Sequence, residues 1–184
     1  MQSKRAILNN VFSEVRADPK CSIFFEKIFS SDQGIGVHLA VFSEPFLSLI
    51  LEGKKTVESR FAKNRCSPHG KIFSGDVVLL KKTGGPVVGM FIAGEIEYFP
   101  QLDKEILEKI KFNYHVNICA DADSEFWAKR KDSQTATLVK IEQVCKLRPF
   151  NVHKSDRTGW VVLRARGNNL ELGLETNISK LTFT

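Results

Sequence analysis

Lys55, Glu58 and Arg60, in the run Gly53-Lys54-Lys55-Thr56-Val57-Glu58-Ser59-Arg60, set an amine, a carboxylate and a guanidinium within one short stretch. Two kinds of chemistry follow from such a set. Lys55 with a lowered pKa, or Glu58 with a raised one, would serve as a general base while Arg60 stabilises an oxyanion or a phosphate. Alternatively, Glu58 and Arg60 pair rigidly, Lys55 and nearby cations hold phosphate, and the site binds a base without turnover. The second reading needs fewer assumptions. A salt-bridge ladder on a solvated strand is the plain structural alternative to both.

The elements around this run must position it. Ser43 to Glu52 reads as a short helix with a Ser cap and an early Pro, stopping at Gly53. Thr56 to Phe61 reads as a strand. Alternation puts Thr56, Glu58 and Arg60 on one face and Val57, Ser59 and Phe61 on the other, which is the expected core face. A strand-like run, Val37 to Phe42, precedes the helix, and Ser74-Gly75-Asp76 leads into a further strand from Val77. Val77 to Lys82 and Val87 to Phe99 flank the hairpin signal Thr83-Gly84-Gly85-Pro86. Helices are expected over Gln101 to Lys111 and Asp123 to Lys131, and strands over Thr135 to Leu147 and Gly159 to Arg164. Helices inserted among strands of an otherwise antiparallel sheet fit an α+β barrel better than a doubly wound parallel sheet.

Strand, short helix, Gly-x-Lys-x-x-Glu-x-Arg, then Gly-Asp before a hydrophobic strand resembles the ASCH domain family from about Val37 to Arg166. Gly53, Lys55, Glu58 and Arg60 fill the signature. The resemblance implies a PUA-like fold: a small, mostly antiparallel β-barrel with helices at its rim and a cleft into which the signature residues project. It also implies nucleic-acid binding, RNA in preference to DNA, single-stranded or at a modified base. Some branches of the family are enzymes, and one hydrolyses N4-acetylcytidine. That branch matches Gly53, Lys55 and Arg60 but carries a threonine nucleophile where this chain has Glu58, so the attacking hydroxyl is missing here. A hydrolase acting on RNA or a modified nucleoside, as a ribonuclease or amidohydrolase, is the alternative, with Lys55 and Glu58 as catalytic candidates and Tyr98, Tyr114 or His115 as helpers. A nucleotide-sensing or protein-interaction module is a further one.

Basic residues cluster where binding would need them. Lys54, Lys55, Arg60, Lys63, Arg65, His69 and Lys71 fall in one stretch able to contact several phosphates. A second cluster, Lys129-Arg130-Lys131, follows Trp127, which would stack on a base if exposed. Of the neighbours Phe126 and Trp127, Phe126 is expected inside and Trp127 at the cleft rim, with Glu125 as a second carboxylate for the site. The nucleic-acid-binding set is therefore Lys54, Lys55, Glu58, Arg60, Lys63, Arg65, Lys71, Trp127 and Lys129.

The chain has 184 residues, a net charge of +6 and 42% hydrophobic content, which suits one soluble domain with an anionic partner. The domain is expected over residues 37–166, between an N-terminal helical extension over 1–36 and a C-terminal extension over 167–184. Residues 4 to 16 carry Ile7, Leu8, Val11, Phe12 and Val15 on one apolar stripe that would cover a barrel edge, and Cys21 to Phe29 would form a second helix. Cys21, Cys66, Cys119 and Cys145 have neither Cys-x-x-Cys nor zinc-finger spacing, so a reducing cytoplasm is expected rather than a disulfide scaffold. No metal, cofactor, signal core or spanning segment is indicated.

Overall fold

The computed structural model describes residues 3–17, 21, 34–153 and 158–167. The strands are β1 (Val37–Phe42), β2 (Val57–Ala62), β3 (Val77–Lys82), β4 (Val87–Phe99), β5 (Thr135–Phe150) and β6 (Trp160–Arg164), and the helices α1 (Lys4–Ala17), α2 (Phe46–Leu51) and α3 (Lys104–Ile118). One sheet of order β2-β5-β4-β3-β1-β6 holds every strand. Its pairs are antiparallel except β1 with β3. Register shifts interrupt the long β4–β5 ladder, and the sheet curls into a half-barrel of the α+β class.

Both faces of the sheet are covered. The predicted stripe of α1, Ile7 to Val15, is buried on one face against Leu39, Leu79 and Met90. It covers a face of the sheet rather than an edge. On the other face Leu47 and Ile50 of α2 meet Phe42, Leu80, Phe91, Val139 and Trp160. Beneath α3, Ile110 and Ile118 pack with Val57, Leu138 and Phe126. The β2 alternation therefore has two buried sides: Val57 joins the α3 cluster, and Glu58 looks toward the other.

Local chemistry sets the boundaries. Ser43 makes no side-chain cap; instead the Glu44 carboxylate accepts from the Ser48 N–H at 3.2 Å and from its hydroxyl at 2.8 Å. Gly53 ends α2 at φ +74°, a conformation costly for any residue with a Cβ. Asp103 caps α3 by accepting from the Ile106 N–H at 2.7 Å, and the helix runs two turns past the expected end at Lys111, as far as Ile118. The helix expected over Asp123 to Lys131 is replaced by turns and a single 3₁₀ turn, Ala128–Arg130. Asp123 accepts from the Glu125 N–H at 3.1 Å, an alternative to helical pairing that short acidic side chains favour.

Asp76, immediately before β3, is fully buried and ties three segments together. It accepts from the Gly36 and Phe73 N–H groups, from His38 and from Arg166. A Cβ on Gly36 would lie 2.6 Å from this carboxylate. Burial opposes the Asp76 charge, yet these hydrogen bonds, that of His38 foremost, hold its pKa below the ordinary value. Cys21 and Cys145 are joined as a disulfide, Cα atoms 6.4 Å apart, contrary to the reading of the cysteines as a reduced, unbridged set. They lie 124 positions apart in the chain, a pairing that spacing does not reveal. Among the described residues no helix is long and apolar enough to cross a membrane. Of the second helix expected from Cys21 to Phe29 all but Cys21 lies outside the described residues, as does the C-terminal extension beyond Gly167.

Candidate functional site

The signature residues meet where β2, the outer strand of the sheet, faces the start of α2 and the end of α3. Lys55 and Glu58 are only 2% and 4% exposed, so the charged face of β2 is no solvated ladder. The Lys55 ammonium faces three acceptors: the Val57 carbonyl at 2.7 Å, the Ile118 carbonyl at 3.1 Å and Glu58 Oε2 at 3.3 Å. It also lies 5.6 Å from the Phe46 ring centroid. Burial lowers the Lys55 pKa, and Glu58 works against that shift. An ammonium has three N–H donors for these acceptors, whereas a neutral amine would leave one without a donor. The geometry thus suits Lys55 as a fixed cation closing the C-terminus of α3.

Arg60 is the bridge across the open side of the half-barrel. Its Nε lies 2.6 Å from Glu58 Oε1 as an ion pair, although the buried N–H has no acceptor in line with it. The terminal nitrogens donate to the Val41 carbonyl of β1 at 3.1 Å and to the Gly159 carbonyl just before β6 at 3.3 Å. The guanidinium is held between Phe42 and Trp160, 4.9 and 5.1 Å from their ring centroids. One side chain of the outermost strand therefore reaches the strands at the opposite end of the sheet.

These residues border a cavity of about 410 Å³, within the usual range for small-ligand sites. Its walls carry Phe42, Phe46, Phe61 and Phe126, with Lys55, Glu58, Arg60, Asp123, Lys129 and Arg130 as the charged groups. Cations outnumber carboxylates four to two. Arg130 lies 3.4 Å over the Phe126 ring and donates to the Phe126 carbonyl at 2.6 Å, and burial lowers its pKa. Lys129 pairs with Asp123 at 3.0 Å and Glu125 at 3.2 Å; the Lys129 hydrogen bond lowers the Asp123 pKa.

The other sequence candidates are placed elsewhere. Lys54 is exposed and paired with Glu52 at 2.8 Å. Lys63 and Arg65 line a separate cavity of about 480 Å³, and Lys71 is exposed outside the described cavities. Phe126 is buried and Trp127 half-buried, but the Trp127 indole is engaged, donating to His115 Nδ1 at 3.0 Å and stacked on that ring. Glu125 does not line the cavity, and the second carboxylate lining it is Asp123. Tyr98 donates to the Ile72 carbonyl and Tyr114 to Glu97, whose hydrogen bond pushes the Tyr114 pKa up to about 12; neither lines the cavity. The sequence did not single out Phe42, Phe46 and Asp123, and it treated Phe61 only as a core residue. Their shared signal, an apolar or acidic residue flanking each charged run, is too common to be read without the fold.

No family model matches the chain, and no curated protein does. Among solved structures, an ASCH protein from Zymomonas mobilis matches with TM-score 0.55 and 15% identity, over 70% of this chain and 87% of that one. Two point mutants of the same protein match with TM-scores 0.53 and 0.54 at 16% identity, over 70% of this chain and 90% and 88% of theirs. At such identity the likeness is one of backbone architecture, and it agrees with the arrangement expected from the signature. The chain has the α+β half-barrel fold of these ASCH structures.

Proposed function

We propose that this protein binds single-stranded nucleic acid, RNA in preference to DNA, and seats one natural or modified base in the cavity bordered by Lys55, Glu58 and Arg60. The binding unit is residues 37–166, flanked by the two extensions. One observation carries the reading: the cavity combines the half-buried Phe46 and Phe61 rings with an excess of cations, the pairing of stacking surface and charge that single-stranded ligands use. The preference for RNA rests on the likeness of the signature to ASCH domains. Lys55, engaged by three acceptors, supports a binding role more than that of a general base.

Intrinsic fluorescence tests it, because Trp160 lies against Arg60. Titration with ribonucleosides and a short single-stranded RNA should give a saturable change. Phe61→Leu, which keeps apolar volume but removes a stacking face, should weaken binding about tenfold, within the ~1–3 kcal/mol that base stacking supplies. An unaltered affinity in that variant, with fold retained by circular dichroism, would exclude the cavity. Cleavage of labelled RNA, with or without magnesium or manganese, would move the reading to a hydrolase. Nucleoside binding indifferent to salt and without RNA binding would point to a sensor.

A further inference from the structure

Resting on the nucleotide-binding reading above, we infer that the binding surface is a track rather than a single pocket. It starts at the seam between β2 and the ends of β1 and β6 and continues past the end of β2 beside the start of β5, and it takes a short single strand with its phosphates directed to Lys63 and Arg65. Three cavities adjoin one another through shared lining residues. The first, about 410 Å³, shares Arg60 and Phe61 with a second of about 170 Å³, and that one shares Thr135 with a third of about 480 Å³. The middle cavity has less than half the volume of either neighbour, so it suits sugar and phosphate better than a base, with bases on either side. Glu58 to Ala62 spans roughly 13 Å of extended strand, enough to separate successive binding positions.

Charge follows the same line. Arg130 stands in the first cavity, Arg60 between the first and second, and Lys63 and Arg65 in the third. Lys63 and Arg65 are exposed, and among the described residues neither forms an ion pair, in contrast to Lys54, Lys109 and Lys129. Unpaired cations bind phosphate without first giving up a protein carboxylate. Their contribution depends on salt and not on base identity, which separates them from the aromatic cavity. Two bases flanking the middle cavity, with a further phosphate beyond the outer base held by Lys63 and Arg65, give a footprint of about three nucleotides, just below the ~4 at the small end for an OB fold.

The test is a series of fluorescein-labelled oligouridylates from mononucleotide to hexamer, alongside unlabelled uridine, with wild type and K63A/R65A. Wild-type affinity should rise with length and level off at about three nucleotides. In the double variant the ratio of oligomer to uridine affinity should fall about tenfold, and the slope of log affinity against log salt should drop by about 1.4, the share of two phosphates on a single strand. Affinity independent of length, or an unchanged salt slope, overturns the track while leaving the base site standing. Loss of uridine binding with length-dependent oligomer binding intact overturns the base site alone, and absence of both overturns both.

Discussion

Lys55 is a charge folded into the interior, and its neighbours decide what that charge does. Val57, Ile118 and Glu58 present three acceptors to it. Lys55→Met would leave two carbonyls without their donor and Glu58 with one cation fewer, at an expected cost of about 3 kcal/mol in urea unfolding at neutral pH. The pH dependence has a definite sign. Burial, opposed by Glu58, holds the folded-state pKa below 10.5, so between that lowered value and 10.5 the unfolded chain carries the extra proton. Stability due to Lys55 therefore rises with pH across that window and is level below it. The stability difference between wild type and Lys55→Met should widen in favour of wild type as pH climbs through the window, and a flat difference would show that Lys55 does not titrate differently on folding. At this scale the sequence was legible in part. Alternation put Glu58 and Arg60 on one face correctly, but it could not reveal that this face is buried, because the Ile118 carbonyl comes from 63 positions away.

Elements whose pattern is local were readable and those held by distant partners were not. The α1 stripe, β1, β3 and β4 follow from side-chain periodicity and turn residues, which act over a few positions. The extra turns of α3 are different. Phe112 and Val116 are exposed on it, so its continuation lacks a clear apolar stripe, and its end is held by the Asn117 and Ile118 carbonyls, which accept from the Thr56 N–H and Lys55. The attachment of the N-terminal segment is equally non-local, since Cys21 is bonded to Cys145 of β5. Opening that link releases a long loop in the unfolded chain. Cys145→Ser should therefore cost about 4 kcal/mol in chemical unfolding, and dithiothreitol should bring wild type down to the variant. A variant as stable as wild type under non-reducing conditions would show that the link adds nothing.

The whole molecule is a curled sheet whose two ends approach without pairing, and Arg60 spans the gap. Because its guanidinium reaches the Val41 and Gly159 carbonyls, Arg60→Met should loosen the seam without unravelling the centre of the sheet. Amide hydrogen exchange is expected to quicken around residues 40–43 and 158–161, and to stay unchanged in the β3–β4 ladder. Uniform acceleration would mean that Arg60 supports global stability rather than closure. The same curl makes the seam a groove, and the +6 net charge gives that groove a long-range attraction for anions. By itself the sequence determined the order of the strands and the placement of α1, α2 and the start of α3, the single-face placement of Glu58 and Arg60 and the basic stretch from Lys54 to Lys71, because these depend on neighbours along the chain. Only the tertiary structure decided that Lys55 and Glu58 are buried, that Phe42, Phe46, Phe61 and Phe126 line the cavity beside them, that Lys54 and Trp127 are engaged elsewhere, and that Arg60 reaches a carbonyl 99 positions away. Those outcomes depend on how the sheet curls, and curl is a property of all six strands together.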